Sequence, residues 1–217
     1  MSKKNKDLLI LIPAFNEEKT INKMIKEVKT FGKVLVIDDG SNDKTRNIAL
    51  KSGAVVLRHK KNLGYNTAIN SGIKYFLKKK FNKVITIDAD GQLPGKYIYI
   101  IKKKFDLKTD VVCGIRTKVS RFGEKIFLFI SKIIWGLKDP LCGTKGFSYN
   151  FVKKYYMKPS FDSINTELLI RAKKNKIDIK EIMIKNKFRK DQSRFGEGLK
   201  VNLFIVLTLF KCILFIN

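Results

Sequence analysis

The chain has one histidine, one tryptophan, four prolines and three cysteines among its 217 residues. Cys113, Cys142 and Cys212 are odd in number and far apart, and they match neither a zinc-ligand nor a disulfide-framework spacing. A reducing, cytoplasmic setting follows. Acidic residues are scarce, 19 against 46 lysines and arginines, which leaves a formal net charge of +27. Such a field attracts nucleic acid, anionic membrane or phosphorylated substrates. Arginine is scarce as well, 7 residues against 39 lysines. Arginine is the side chain suited to bidentate phosphate and base-edge contacts, so the lysine excess reads as a general surface charge; a lysine-biased proteome would give the same excess. No RNA-binding or helix-turn-helix pattern is present. Nucleic acid is therefore not expected as a partner, and a non-catalytic basic protein binding nucleic acid or membrane is the remote reading.

Long apolar runs are also missing. Met1 to Asp7 is basic and enters a strand-like run of only about six residues, too short for the apolar region of a signal peptide. Val201 to Ile216 is strongly apolar but is interrupted by Asn202, Thr208 and Lys211, whereas a membrane-spanning helix needs about 20 apolar residues. An interfacial helix or a membrane anchor is expected there, with a C-terminal core helix as the alternative. No repeat, low-complexity linker or domain boundary stands before about residue 197, which divides the chain into 1–197 and a C-terminal apolar helix, 198–217.

What is present is a folding composition, 44% hydrophobic and 11% aromatic. Short apolar runs at Leu8 to Ile12, Val34 to Ile37, Ala54 to Leu57 and Val84 to Ile87 alternate with helical patterns near 17–28, 43–52 and 66–79. Asn16 is the expected N-cap of the first helix, with Glu17 and Glu18 in its first turn, and Asp43 or Ser41 caps the second. This alternation predicts an α/β fold, a mostly parallel sheet with right-handed crossovers and helices on both faces. Ligands of such sheets sit outside the carboxyl ends of the strands. The turn after Ile12 lies there, and so do Asp38, Asp39, Asp88 and Asp90.

Residues 84–92, Val-Ile-Thr-Ile-Asp-Ala-Asp-Gly-Gln, carry the sharpest signal. Side chains two apart on an extended strand share a face, so Asp88 and Asp90 can converge on one cation. Mg²⁺ takes one or two protein carboxylates and completes its shell with water and substrate phosphate oxygens. A polar cap at a strand-to-loop junction is the bland alternative. Further along, a helix is expected near 96–105 and strands at Val111 to Cys113, Phe147 to Tyr149 and Ile177 to Ile184. Phe122, Ile126, Phe129, Ile130, Ile133 and Ile134 form a wide apolar stripe, read either as a core helix or as a helix on a membrane or lipid groove. Asn165 or Thr166 is the expected cap of a helix near 167–174. His59 follows a strand and reads as a surface residue rather than a catalyst.

Taken together, Ile12-Pro13-Ala14-Phe15-Asn16-Glu17-Glu18, Val36-Ile37-Asp38-Asp39-Gly40-Ser41-Asn42-Asp43-Lys44-Thr45, Asn62-Leu63-Gly64, Asp88-Ala89-Asp90-Gly91-Gln92, Gly114-Ile115-Arg116, Asp139-Pro140-Leu141-Cys142-Gly143, and Arg189 with Ser193-Arg194 resemble the family-2 glycosyltransferases of the GT-A fold. The resemblance runs from about Leu8 to Gly198. It is closest to the branch that moves a hexose from a nucleotide sugar to a polyprenyl or dolichyl phosphate. It implies that Pro13, Phe15, Glu17 and Asp39, with Asp38 alongside, bind the base and ribose of a GDP- or UDP-hexose. It implies that Asp88, Asp90 and Gln92, with Ala89 between them, hold Mg²⁺ or Mn²⁺ and the diphosphate. Arg189, Ser193 and Arg194 match a loop closing over the diphosphate, and Arg116, with Arg121 and Ser131, matches groups that hold the acceptor phosphate. The sequence departs from the pattern in a short segment between Arg116 and Asp139, in Arg194 where lysine is usual, and in Asn66 where glycine is usual. Residues 1–197 are then the catalytic domain, peripheral at the cytoplasmic face of an anionic membrane.

A phosphate monoester acceptor is mostly dianionic near neutral pH and needs orientation, not deprotonation. A sugar-hydroxyl acceptor on a glycan, the alternative, would need a general base, for which Asp139 and Glu167 are the candidates. In the first case Asp88, Asp90, Asp139 and Arg116 form the catalytic set.

Overall fold

The computed structural model describes residues 7–105, 108–156, 163–186 and 198–216. Seven strands form one sheet. The apolar runs of the first half become β1 (Leu8–Ala14), β2 (Lys33–Asp38), β3 (Val55–Arg58) and β4 (Lys83–Thr86), joined by α1 (Ile21–Val28), α2 (Thr45–Lys51) and α3 (Tyr65–Lys79). The second half adds α4 (Lys96–Lys104), β5 (Val111–Arg116), α5 (Phe122–Trp135), β6 (Lys145–Ser148), α6 (Tyr149–Tyr155), α7 (Ile164–Lys174), β7 (Ile179–Ile184) and α8 (Leu199–Ile216). The strand order is β3-β2-β1-β4-β6-β5-β7. All neighbours are parallel except β6, which runs antiparallel to β4 and β5.

Both faces of the sheet are covered, as continuous apolar strands require. Leu9, Leu11, Leu35, Ile37 and Val84 pack with Ile69, Ile73 and Phe76 of α3 and Leu168 and Leu169 of α7. Ile10, Ile12, Val34, Val36 and Ile85 pack on the other face with Ile21, Met24, Ile25 and Val28 of α1 and Ile98 and Ile101 of α4. On β4, alternation turns Val84 and Thr86 toward the α3 side, and Asp88 follows at the next step.

Several expectations are corrected. Asn16 does not cap α1: its φ of 53° is left-handed, whereas an N-cap is extended, and the helix starts at Ile21 after a turn that contains Glu18. Lys44 directly precedes α2 and makes no side-chain cap, while Asp43 caps the first turn as expected, accepting from Thr45 N at 2.9 Å. Ser163, not Asn165 or Thr166, precedes α7, and Thr166 Oγ1 donates instead to the Pro140 carbonyl at 2.9 Å. The α5 stripe is split. Ile126 and Ile130 pack against the core while Phe122, Phe129 and Ile133 remain 68–69% exposed, and the buried face of the helix is carried by Phe127 and Trp135, outside the stripe. Helix α8 behaves similarly. Leu209 and Cys212 enter the core, and Leu203, Phe204, Leu207, Phe210 and Leu214 face outward. Among the described residues, no helix is long and apolar enough to cross a membrane.

Candidate active site

The chain passes from β1 to β2 on one side and places β4 on the other, so a crevice opens between the carboxyl ends of β1 and β4. A cavity of about 820 Å³ occupies it. Pro13, Phe15, Glu17 and Asp39 line one end, Asp88, Ala89, Asp90 and Gln92 the middle, and Arg116 and Arg121 the next part of the wall. Phe127, Val201, Phe204 and Ile205 of α5 and α8 add apolar side chains to the wall.

At the first end, the loops after β1 and β2 bind each other. Asn16 N donates to Ser41 Oγ at 3.0 Å and Asn42 N to Asn16 Oδ1 at 2.9 Å. Glu17 N donates to Thr45 Oγ1 at 2.7 Å, Glu18 N to Asp43 Oδ2 at 3.1 Å, and Lys44 N to Glu18 Oε2 at 3.1 Å. The left-handed Asn16 is what turns its amide and side chain toward the second loop. Gly40 is needed beneath them: its φ is +74° and a Cβ there would stand 2.5 Å from the Lys61 carbonyl carbon.

Asp39 accepts from Leu63 N at 3.0 Å and Gly64 N at 2.8 Å, and its Oδ1 lies 2.7 Å from His59 Nδ1. His59 Nε2 in turn meets Ser71 Oγ of α3 at 2.9 Å. His59 is therefore not a surface residue: its side chain is 13% exposed and braces Asp39. Asp38 is not in the cavity wall. It is buried, accepts from Ser41 N at 3.0 Å and pairs with Arg58 at 3.3 Å.

Asp88 is gripped from two sides. Tyr65 donates its hydroxyl to Asp88 Oδ1 at 3.1 Å. Opposite, the carboxylate lies against Gly143, where a Cβ would fall 1.9 Å from Oδ2. The segment after Gly143 is fixed to β4, since Thr86 Oγ1 donates to the Gly143 carbonyl at 2.7 Å. Burial and, next, the charge of Asp90 push the Asp88 carboxyl up to about 6. Two carboxylates that repel each other in a half-dry site suit a divalent cation, and this pair offers the oxygen ligands that Mg²⁺ and Mn²⁺ take.

The sign of that shift gives a stability prediction. A carboxyl whose folded value lies above 3.8 holds its proton longer in the native state, so its ionisation removes stability as pH rises from about 4 to about 6. Asp88→Asn is expected to raise the metal-free chain's unfolding free energy by about 1–2 kcal/mol near neutral pH and to change little below about pH 4. Chemical denaturation at the two pH values measures it.

Arg116 is held in a fork by Asp139. Its Nε donates to Oδ2 at 2.8 Å, its Nη2 to Oδ1 at 2.9 Å, and its backbone N to Oδ2 at 3.0 Å. Glu124 meets both Arg116, at 3.5 Å, and Arg121, at 3.2 Å. Asp139 is buried behind Arg116 and, like Glu167, does not line the cavity. Ser131 is not brought to the site either: it is buried in α5 and donates to carbonyls of Leu128 and Leu137 at 3.0 Å. Arg189, Ser193 and Arg194 lie outside the described residues. Sequence reasoning missed Tyr65, Gly143, Lys145 and Asn165, all in the cavity wall.

The sequence profile of glycosyl transferase family 2 covers residues 9–165. The chain belongs to this family. It is 36% identical over 199 residues to an uncharacterised protein of Methanocaldococcus jannaschii, spanning 83% of this chain and 82% of the other. It is 26% identical over 215 residues to the UDP-N-acetylglucosamine–dolichyl-phosphate N-acetylglucosaminyltransferase of Methanococcus voltae, spanning 83% and 86%. Glucosyl-3-phosphoglycerate synthase of Mycobacterium tuberculosis, solved with Mn²⁺, uridine diphosphate and phosphoglyceric acid, superposes with a TM-score of 0.74 at 18% identity, over 97% of this chain and 80% of that one. The fold is GT-A, and the sequence relatives include transferases named for dolichyl or undecaprenyl phosphate.

Proposed function

We propose that this glycosyltransferase moves a hexose from a GDP- or UDP-sugar to a polyprenyl phosphate, with inversion at the anomeric carbon, on the cytoplasmic face of a membrane. The observation that carries the acceptor class is a cavity wall that joins two guanidinium groups, Arg116 and Arg121, to apolar side chains of α5 and α8. Among the described residues lining the cavity, the carboxylates are Glu17, Asp39, Asp88, Asp90 and Glu124. Glu17 and Asp39 belong to the donor end, Asp88 and Asp90 to the diphosphate, and Glu124 is held by two arginines. Among the described residues a hydroxyl acceptor finds no carboxylate outside these roles, whereas a phosphate dianion needs only cations and orientation. Arg116 and Arg121 supply the cations, and the apolar wall of α5 and α8 suits a prenyl chain. In this reading Asp139 positions Arg116.

Bound Mg²⁺ or Mn²⁺ at Asp88 and Asp90, with Gln92 beside them, would neutralise charge growing on the departing diphosphate. Tyr65 and Gly143 fix the direction of the Asp88 carboxylate. Pro13, Phe15, Glu17 and Asp39 hold the nucleoside at the braced loops, and Arg189, Ser193 and Arg194 are proposed to close over the diphosphate. Residues 1–197 then carry catalysis, and 198–217 joins the chain to the lipid surface. The test is transfer from UDP- and GDP-sugars with Mn²⁺ or Mg²⁺, with and without undecaprenyl phosphate. Turnover that requires the lipid phosphate is expected; equal turnover onto a saccharide without it overturns the acceptor assignment.

Exposed apolar side chains on α5 and α8, on a chain of charge +27, favour anionic bilayers. The protein is expected to float with vesicles rich in phosphatidylglycerol, less so in high salt, and not with phosphatidylcholine alone. Phe129→Glu together with Ile133→Glu, both at exposed positions, should reduce flotation by about tenfold or more without lowering the melting temperature.

A further inference from the structure

We propose that Lys145 is a phosphate-holding cation of this site, an inference that rests on the transferase reading above. Lys145 opens β6 opposite Thr86 of β4. It is 2% exposed, yet it forms part of the cavity wall. Its ammonium donates to the Cys142 carbonyl. An ammonium has three donors, and among the described residues no carboxylate stands within ion-pair distance of this one. The two arginines of the same cavity are both paired with carboxylates. A buried charge without a counter-ion is costly, and a charge retained at that cost beside a substrate cavity is suited to an anion that arrives with the substrate.

A second observation points the same way. Asn165, at the start of α7, is 5% exposed and also lines the cavity. Its Nδ2 donates to Thr86 Oγ1 at 3.4 Å, the hydroxyl that also accepts from Lys145 N at 3.3 Å. Its Oδ1 has no hydrogen-bond partner among the described residues. Around Thr86, then, the wall presents unused ammonium donors and an unused amide acceptor. A glycosyl phosphate carries an anionic oxygen for the first and a hydroxyl for the second. A counter-charge role toward Asp88 alone would leave the remaining ammonium donors of Lys145 without a use, since its ammonium donates only to the Cys142 carbonyl among the described residues.

The phosphate has two possible sources, the donor's diphosphate and the acceptor's monoester. Calorimetry on the wild-type chain and on Lys145→Met separates them, with Mn²⁺ alone, UDP or GDP with Mn²⁺, and farnesyl phosphate as probes. Lys145→Met is expected to weaken at least one phosphate probe by about tenfold or more while binding Mn²⁺ alone no more weakly; the probe that weakens names the source. Both phosphate probes binding within twofold of wild type, or a loss confined to Mn²⁺ alone, overturns the assignment and leaves the transferase reading standing. A wild-type chain that binds neither phosphate probe overturns both. If Lys145→Met does not fold, a structure of the wild-type chain with either probe decides: a phosphate oxygen within about 3.2 Å of Nζ supports the subsite, and a bound phosphate elsewhere, with Nζ still only on Cys142, rejects it.

Discussion

Transfer is expected to fall about a thousandfold in Asp90→Ala and about a hundredfold or more in Gly143→Ala, with both variants folded. The first removes a carboxylate outright. The second leaves every polar group in place and acts through space alone. A methyl at 143 would lie 1.9 Å from Asp88 Oδ2, 2.4 Å from Cγ and 2.6 Å from Oδ1. No rotation of the methyl relieves such contacts, so the carboxylate itself must move off the position that Tyr65 and Gly143 define. A misplacement of about 1 Å at a reacting centre costs about a hundredfold in rate. The backbone at Gly143 lies outside the left-handed region, so alanine adopts it without strain. Steady-state transfer and circular-dichroism melting on the same samples check the pair. Gly143→Ala with activity within threefold of wild type would show that the Asp88 position is not what the reaction depends on.

Arg116→Ala is expected to fail by a different route, losing about 3–5 kcal/mol of stability. It strips two donors, Nε and Nη2, from Asp139, whose side chain is 1% exposed. Only the backbone N–H of residue 116 remains to that carboxylate. Loss of activity in this variant alone therefore says nothing about the acceptor. The informative partner is Arg116→Met combined with Asp139→Leu, which replaces the buried pair by apolar groups of similar size. Much of the lost stability should return, as it does when whole buried pairs are replaced, but transfer to the lipid phosphate should not. Denaturant titration and transfer assays measure both. A stable double variant with wild-type transfer would remove Arg116 from the acceptor site.

The first half of the chain was legible because its strands are uninterrupted Ile, Leu and Val runs and its carboxylates stand where such strands end. That placed Asp39, Asp88 and Asp90 in one crevice before any coordinates. The other wall was not legible. Strand β6 is Lys-Gly-Phe-Ser, with little β propensity and a lysine that reads as solvent-exposed, so neither its reversed direction nor the burial of Lys145 could be inferred. Helix α6 lies directly after it, capped by Ser148 accepting from Phe151 N, and was absent from the pattern. Asn16 misled because asparagine is both a good cap and a residue tolerant of left-handed backbone; only its pairing with Ser41 and Asn42 decides between them. Asp38 misled because adjacent acids look equivalent in sequence, whereas strand alternation sends one to Arg58 and the other to the cavity.

The bracing of the loop after β1 by the loop after β2 has a consequence for engineering. Five hydrogen bonds cross between Asn16, Glu17 and Glu18 on one side and Ser41, Asn42, Asp43, Lys44 and Thr45 on the other. Neither stretch can be transplanted alone into another scaffold without orphaning its counterpart's amides. A graft meant to alter this end of the cavity must carry the two segments as one cassette, and keep glycine at position 40, where a side chain would meet the Lys61–Asn62 backbone.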